Sequence, residues 1–304
     1  MTIKQHTLKG EYHFEGKGLH TGRYSRMSVK GAPAGSGICF IRTDIGPEAV
    51  IPALADRVSD TSRSTRITQG QATVGTIEHI MSALTGLGVD NAVIEIDGPE
   101  VPILDGSALP YVEAFSKDSI PAQEVERKWL EIEHEVEVTD PVSGGYIRVT
   151  PADTLSINSR IDFSSPVIGV QEASWRPGED YAGEIAPCRT FVFLHEITFL
   201  LREGLVKGGD ASNALVIVDS TPSPGELEQL AAFLGKDTIS VTPGGYLEHQ
   251  TLRFPNEAGR HKLLDLIGDI RLSGGYPLVK VEAYKPGHAL NTRAAAAILK
   301  SIKR

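Results

Sequence analysis

The segment Arg260-His-Lys-Leu-Leu-Asp265-Leu-Ile-Gly-Asp269 constrains the folding of this chain more than any other. At about 100° per residue, His261, Lys262, Asp265, Gly268 and Asp269 crowd roughly a third of a helix circumference. Leu263, Leu264, Leu266, Ile267 and Ile270 cover the opposite side. A helix so divided lays its apolar side on a hydrophobic layer and carries ionisable groups wherever its other side is sent. Residues at i and i+4 stand one above the other, so His261 and Asp265 can reach one metal ion together. A catalytic zinc site takes three protein ligands and keeps one position for water, so a further ligand must come from elsewhere. The same pattern also describes a surface helix with a charged outer face.

A second constellation supplies a candidate. In Thr76-Ile-Glu78-His79-Ile-Met-Ser-Ala-Leu-Thr-Gly86-Leu-Gly88, the residues Ile77, Ile80, Met81, Leu84 and Leu87 follow the spacing of a buried helical face. Thr76 is the expected N-cap, and Gly86 and Gly88 the expected stop. Glu78 and His79 then fall in the first turn. A histidine that binds a metal beside a carboxylate that does not is the equipment of metal-assisted hydrolysis: the ion activates water and the carboxylate takes its proton. The alternative role for Glu78 is to complement the helix dipole.

Composition narrows the function classes. A net charge of −9 without a Lys/Arg run speaks against general nucleic-acid binding. The two cysteines, Cys39 and Cys188, form no disulfide framework or cysteine-rich metal site, which fits a reducing compartment. No signal-peptide pattern opens the chain and no apolar run approaches a membrane span. The expectation is a cytoplasmic protein with no transmembrane segment. There is no Gly-x-Gly-x-x-Gly opening a helix, no P-loop and no His-Glu-x-x-His.

With 304 residues the chain has room for two cores. The polar, proline-containing stretch from Ser116 to Arg127 is the expected boundary. It divides an N-terminal α+β domain, 1–122, carrying Glu78 and His79, from a C-terminal α+β domain, 128–304, carrying His261, Asp265 and His288. Strands are expected at Met27–Lys30 and Ala92–Ile96 in the first. In the second they are expected at Trp129–Val138, Tyr146–Thr150, Leu155–Phe163 and Leu278–Tyr284. Each part reads as strands, a helix with a candidate ligand, then another strand, a weak internal repeat. The fold class is therefore α+β, two similar domains that each layer sheet and helices, with the helical layers facing one another across a metal.

Several motifs, in order, carry a family resemblance. They are Gly16-Lys-Gly-Leu-His20-Thr-Gly22, Thr76-Ile-Glu-His79, Gly86-Leu-Gly-Val-Asp-Asn91 and Pro99-Glu-Val-Pro-Ile-Leu-Asp-Gly-Ser107, then Arg189-Thr190-Phe191, the Arg260–Asp269 helix and Gly287-His288-Ala-Leu-Asn291. Nearly end to end, the chain resembles the UDP-3-O-acyl-N-acetylglucosamine deacetylases, zinc enzymes of lipid A synthesis. The resemblance implies Zn2+ held by His79, His261 and Asp265, with Fe2+ as the alternative ion in the cell. It makes Glu78 the general base and His288 the cation that stabilises the oxyanion and protonates the leaving amine. Asp269 orients that histidine, and Thr190 hydrogen-bonds the oxyanion. Lys262 is implied to meet the nucleotide-sugar phosphates, and Asp162 with Phe163 the nucleotide. Phe191, Ile197 and Ala214 are implied to line an acyl passage. Some family members are fused at the C-terminus to a hydroxyacyl-carrier-protein dehydratase, so the chain reads either as a whole enzyme or as one domain of a full-length protein with such a dehydratase as partner.

The chain departs from the family pattern at Gly208–Ala214, and the segment 219–255 is longer than usual. That insertion contains Pro222-Ser-Pro-Gly-Glu-Leu-Glu-Gln-Leu, which reads as a capped helix, and a turn over Thr242–Tyr246. Two other readings stay open at this level. One is a non-haem iron oxygenase, since two histidines and a carboxylate also define that triad. The other is an inactive nucleotide-sugar binding module, against which the retention of Glu78 and His288 argues.

Overall fold

Alternation along the strands decides which way each sheet faces. In the computed structural model, which describes residues 3–203, 207–210 and 212–303, Tyr24–Gly31 buries Ser25, Met27 and Val29 and turns Tyr24 and Arg26 outward. Gly145–Pro151 likewise buries Ile147 and Val149 and exposes Tyr146 and Arg148. Such period-two burial belongs to sheets with one face on a core and one in water.

Two five-stranded sheets result. The first contains β1 (Glu11–Lys17), β2 (Tyr24–Gly31), β3 (Ile38–Arg42), β4 (Val50–Pro52) and β5 (Ala92–Ile96), in the order β1-β2-β5-β3-β4. The second contains β6 (Val136–Asp140), β7 (Gly145–Pro151), β8 (Ser156–Asp162) and β9 (Val170–Trp175). A short pair follows in the chain, β10 (Phe191–Phe193) and β11 (Leu215–Ile217), which run parallel to each other. The last strand, β12 (Val279–Tyr284), returns to the second sheet, whose order is β6-β7-β12-β8-β9. The two orders are the same, and so are the polarities. In each sheet the late strand enters between two earlier ones, antiparallel to one and parallel to the other. The expected repeat is therefore present in the topology.

The helices are α1 (Glu78–Gly86), α2 (Leu109–Phe115), α3 (Tyr181–Glu184), α4 (Leu194–Arg202), α5 (Pro224–Phe233), α6 (Glu257–Ile270) and α7 (His288–Ser301). α1 leads into β5 and α6 into β12, the equivalent places in the two halves. α1 makes its broadest contact with α6, and α7 packs beside α6. One continuous apolar core runs through both halves, from Ile80, Met81 and Leu84 to Leu263, Leu266, Ile267 and Ile298. α1 and α6 thus lie inside the molecule and the two sheets form outer layers. The reading of α6 as a surface helix with a charged outer face does not hold: His261, Asp265 and Asp269 are as buried as the leucines behind them. Its polar side is turned toward α1 and α7. Gly268 lets α1 and α6 approach, because a β-carbon there would collide with the Glu78 carbonyl oxygen and lie 3.1 Å from Ser82 N.

Three local expectations change. Thr76 does not cap α1; its φ is 58°, and its hydroxyl instead donates to Glu100 Oε1 at 2.9 Å. The continuous strand expected over Trp129–Val138 is split. Trp129–Leu130 pairs with Tyr276–Pro277, Ile132 bridges to Ile302, and only from Val136 does the chain join the second sheet. The alternation persists because each stretch buries side chains against a different neighbour. Between the halves, Ala122–Glu126 forms a strand that pairs back on Lys4–His6.

The insertion is ordered around α5. Ser223 accepts from Glu226 N while the Glu226 side chain accepts from Ser223 N, a reciprocal capping box. The turn at Thr242 closes with Thr242 N donating to Tyr246 O at 2.7 Å. Leu230 and Leu247 pack with Leu194, Ile197 and Val216 in a satellite apolar cluster. Among the described residues no helix is long and apolar enough to cross a membrane.

Candidate metal centre

The first turn of α1 and the middle of α6 meet face to face. His79 Nε2 lies 3.6 Å and His261 Nε2 3.4 Å from Asp265 Oδ1. The imidazoles stand edge to face at 84°, their centroids 5.1 Å apart. One ligand atom from each of His79, His261 and Asp265 falls within 4.8 Å of the others, and all three residues are buried. Asp265 Oδ1 has no hydrogen-bond partner among the described residues, because both nitrogens stand beyond hydrogen-bonding length. A buried carboxylate oxygen left bare is costly. Two imidazole nitrogens and a carboxylate are the donor set that a zinc-like cation takes. The group therefore fits a metal ion.

Its surroundings prepare it for that. His261 Nδ1 donates to the Cys188 carbonyl at 3.1 Å, which fixes the tautomer and aims Nε2 at the centre. Burial pushes the ring down to about 3, so it stays neutral and able to ligate. Burial would raise the Asp265 carboxyl, but the Lys262 ammonium beside it helps hold the group well below the usual range. Lys262 Nζ donates to Asp265 Oδ2 at 2.9 Å, leaving the other oxygen free.

Further ionisable groups flank the centre. Glu78 Oε2 accepts from Thr65 N at 3.0 Å, while Oε1 lies 3.8 Å from His288 Nε2. Burial raises the Glu78 carboxyl above its ordinary value, against the pull of His288 and His79. His288 opens α7. Its Nδ1 donates to Asp269 Oδ2 at 3.1 Å, and Asn291 Nδ2 holds the same oxygen at 2.9 Å. Burial alone would lower the imidazolium, yet Glu78 and Asp269 keep it at about 9. Asp269 is wholly buried behind His288, its other oxygen accepting from the Thr65 hydroxyl at 2.5 Å.

A cavity of about 590 Å³ opens from these groups, a size suited to a small-molecule ligand. Thr190, Phe191, Ile197, Ala214 and Lys262 line it together with the metal group, Glu78 and His288. Arg189, next to Thr190, fixes this wall by donating Nε to buried Glu257 Oε1 at the start of α6, 2.9 Å away. Lys262 Nζ also lies 5.5 Å above the Phe191 ring. Asp162 and Phe163 are not in the lining. Asp162 accepts from Tyr284 Oη at 3.0 Å, and Phe163 stacks edge-on against Phe191, 5.5 Å between centroids. They stand beside the cavity through that ring.

Sequence reasoning did not single out Thr65, which grips Glu78 and Asp269 at once from the loop before Arg66. It also missed the Cys188 carbonyl and Asn291 as anchors. A main-chain oxygen has no sequence signal. Asn291 stands in the sequence only as the end of a motif, although its i+3 spacing from His288 is a usable hint.

The geometry agrees with comparisons to known proteins. A family model described as LpxC, UDP-3-O-acyl N-acetylglycosamine deacetylase, matches residues 5–230 and 232–300. The chain is 42% identical over 301 residues to the bifunctional enzyme LpxC/FabZ of Porphyromonas gingivalis, covering 99% of this chain and 65% of that protein. It is 40% identical to the Chlorobaculum tepidum enzyme of the same name, covering 96% of this chain and 63% of the relative. A UDP-3-O-acyl-N-acetylglucosamine deacetylase of Nostoc sp. is 38% identical, with 98% of this chain and 99% of the relative covered. The chain thus spans less than two thirds of the bifunctional relatives and nearly the whole of the Nostoc protein. By the match along nearly its full length, this chain belongs to the UDP-3-O-acyl N-acetylglycosamine deacetylase family, LpxC.

Proposed function

We propose that the protein is a zinc-dependent amidohydrolase acting on UDP-3-O-(3-hydroxyacyl)-N-acetylglucosamine. It releases acetate and UDP-3-O-acyl-glucosamine, the committed step of lipid A biosynthesis. The observation that carries this reading is the bare Asp265 oxygen between His79 and His261, flanked by Glu78 and His288 at the mouth of a largely apolar cavity. His79, His261 and Asp265 would hold Zn2+, or Fe2+ in the cell. When bound, the ion supplies Lewis acidity to the acetamide carbonyl and lowers the pKa of water.

The chain's own residues do the rest. Glu78, its carboxyl raised by burial, takes a proton from the attacking water. The water oxygen joins the acetyl carbon and the carbonyl electrons move onto its oxygen. That oxyanion would face Thr190 and the His288 cation, which line the same cavity and would stabilise the developing charge. The carbon–nitrogen bond then breaks, and the nitrogen leaves as an amine after receiving a proton from His288 or from the protonated carboxyl of Glu78. Lys262 would meet the phosphates, Asp162 and Phe163 the nucleotide. Phe191, Ile197 and Ala214 would hold the acyl chain. A fused dehydratase, suggested by the names of the bifunctional relatives, is the proposed partner in the native gene product. Two free cysteines, Cys39 and Cys188, support placing the reaction in the cytoplasm.

The test is acetate release from the nucleotide sugar before chelation, after it, and after limiting zinc is restored. Release that is lost and recovered supports the proposal. A folded, metal-loaded sample that releases none refutes it.

A further inference from the structure

The cavity does not end at the strands that carry Thr190 and Ala214. Part of its wall comes from the insertion: Leu230 and Phe233 of α5 and Leu234 at its end line the same space as His261 but pack in an apolar cluster separate from the core of α1 and α6. Val192, Ile197 and Val216 complete this distal part. All six are apolar. His195 and Glu196 also border the cavity, but both are exposed. The spacing of Leu227, Leu230 and Leu234 puts one stripe of α5 inward, while Glu228, Gln229 and Ala232 face water.

The wall is also anchored. The capping box at Ser223 fixes the start of α5. At the other end, Val218 N donates to Gly245 O at 2.8 Å. Gln250 accepts from Val216 N at 2.9 Å and donates to Ala214 O at 2.7 Å. The C-terminal part of the insertion is thus tied to β11 and its immediate neighbours, of which Val216 and Ala214 line the passage.

We infer that α5 is the end wall of the acyl passage, and that Leu230, Phe233 and Leu234 set the length of 3-O-acyl chain accepted. This rests on the reading of the substrate as an acylated nucleotide sugar. A chain that stops short of the wall leaves apolar surface unfilled, and one that overruns it must displace packed side chains. With no buried polar side chain among the described residues of the distal lining, the chemistry this end recognises is hydrocarbon.

The experiment measures kcat/KM for substrates of increasing 3-O-acyl length with wild type, Phe233→Ala and Phe233→Trp. Gln229→Ala on the outer face of α5 is the control. Phe233→Ala should move the optimum to longer chains, the long-to-short ratio rising about fourfold for each extra methylene buried. Phe233→Trp should move it to shorter ones, and Gln229→Ala should keep the wild-type profile. A ratio cancels any general loss of folded enzyme. Superimposable profiles for wild type and both Phe233 variants would overturn the inference, as would a Gln229→Ala shift equal to that of Phe233→Ala. Should wild type hydrolyse none of the substrates, the reaction proposal fails by itself. Calorimetric binding of free fatty acids of the same lengths then decides the wall: a Phe233→Ala shift in length preference supports it, and no shift refutes it.

Discussion

Asp265 carries two opposite assignments on its two oxygens. Oδ2 is engaged by Lys262 at 2.9 Å, and Oδ1 is left between two imidazoles. On the proposed reading, that division separates the residues that would hold an ion from those that would work beside it. Replacing His79, His261 or Asp265 by Ala should abolish stoichiometric metal, read by elemental analysis of the purified protein. Glu78→Gln should keep the metal and lose about 10²–10⁴-fold in kcat, the usual range for a general base. Full zinc occupancy in His79→Ala would sink the ligand assignment. Much of this was legible from the i, i+4 spacing of His261 and Asp265 and the adjacency of Glu78 to His79. What periodicity could not yield was the partner of each: Thr65 reaches Glu78 and Asp269 across 13 and 204 positions, and such pairings are fixed only by the fold.

α6 shows what a helical pattern can and cannot say. Its apolar side was readable, but whether its polar side met water or another helix was not, because burial of charge depends on what is packed opposite. Gly268 is the residue that settles it. Gly268→Ala would drive a β-carbon into the main chain of α1 at Glu78 and Ser82, where no flexible side chain can yield. It should destabilise by about 1–3 kcal/mol and weaken metal affinity, because the helices that carry the ligands are forced apart. Gly225→Ala, with none of the described residues within 4 Å, should leave both unchanged or slightly improved. Thermal unfolding and metal titration of the two variants provide the comparison. At strand level, alternation identified six of the ten sheet strands, missing β1, β3, β4 and β9, and it fused Trp129–Leu130 with Val136–Asp140, since period two records burial and not the identity of the neighbour.

At the scale of the molecule the candidate ligands come from both halves, so an ion bound at the folded centre would oppose separation of the helical layers. It should stabilise by about 4 kcal/mol when free ion exceeds its Kd about a thousandfold. Chelation should therefore lower the unfolding temperature of wild type and leave His79→Ala where it was. An equal drop in both would place the stabilising ion elsewhere. The α+β class and the repeat were visible from sequence because each half repeats the order of strands, ligand helix and strand. The part played by the insertion was not, because an apolar helix face carries no label for what it covers. The shared strand order of the two sheets has one more consequence. Two copies of such a unit joined as identical subunits would be related by a dyad, and an ion on that axis would receive protein ligands in pairs. The candidate group of three, one from α1 and two from α6, has the wrong parity for such an axis. In a single chain the two copies are free to diverge, so they can offer an odd number of ligands and leave a coordination place for water.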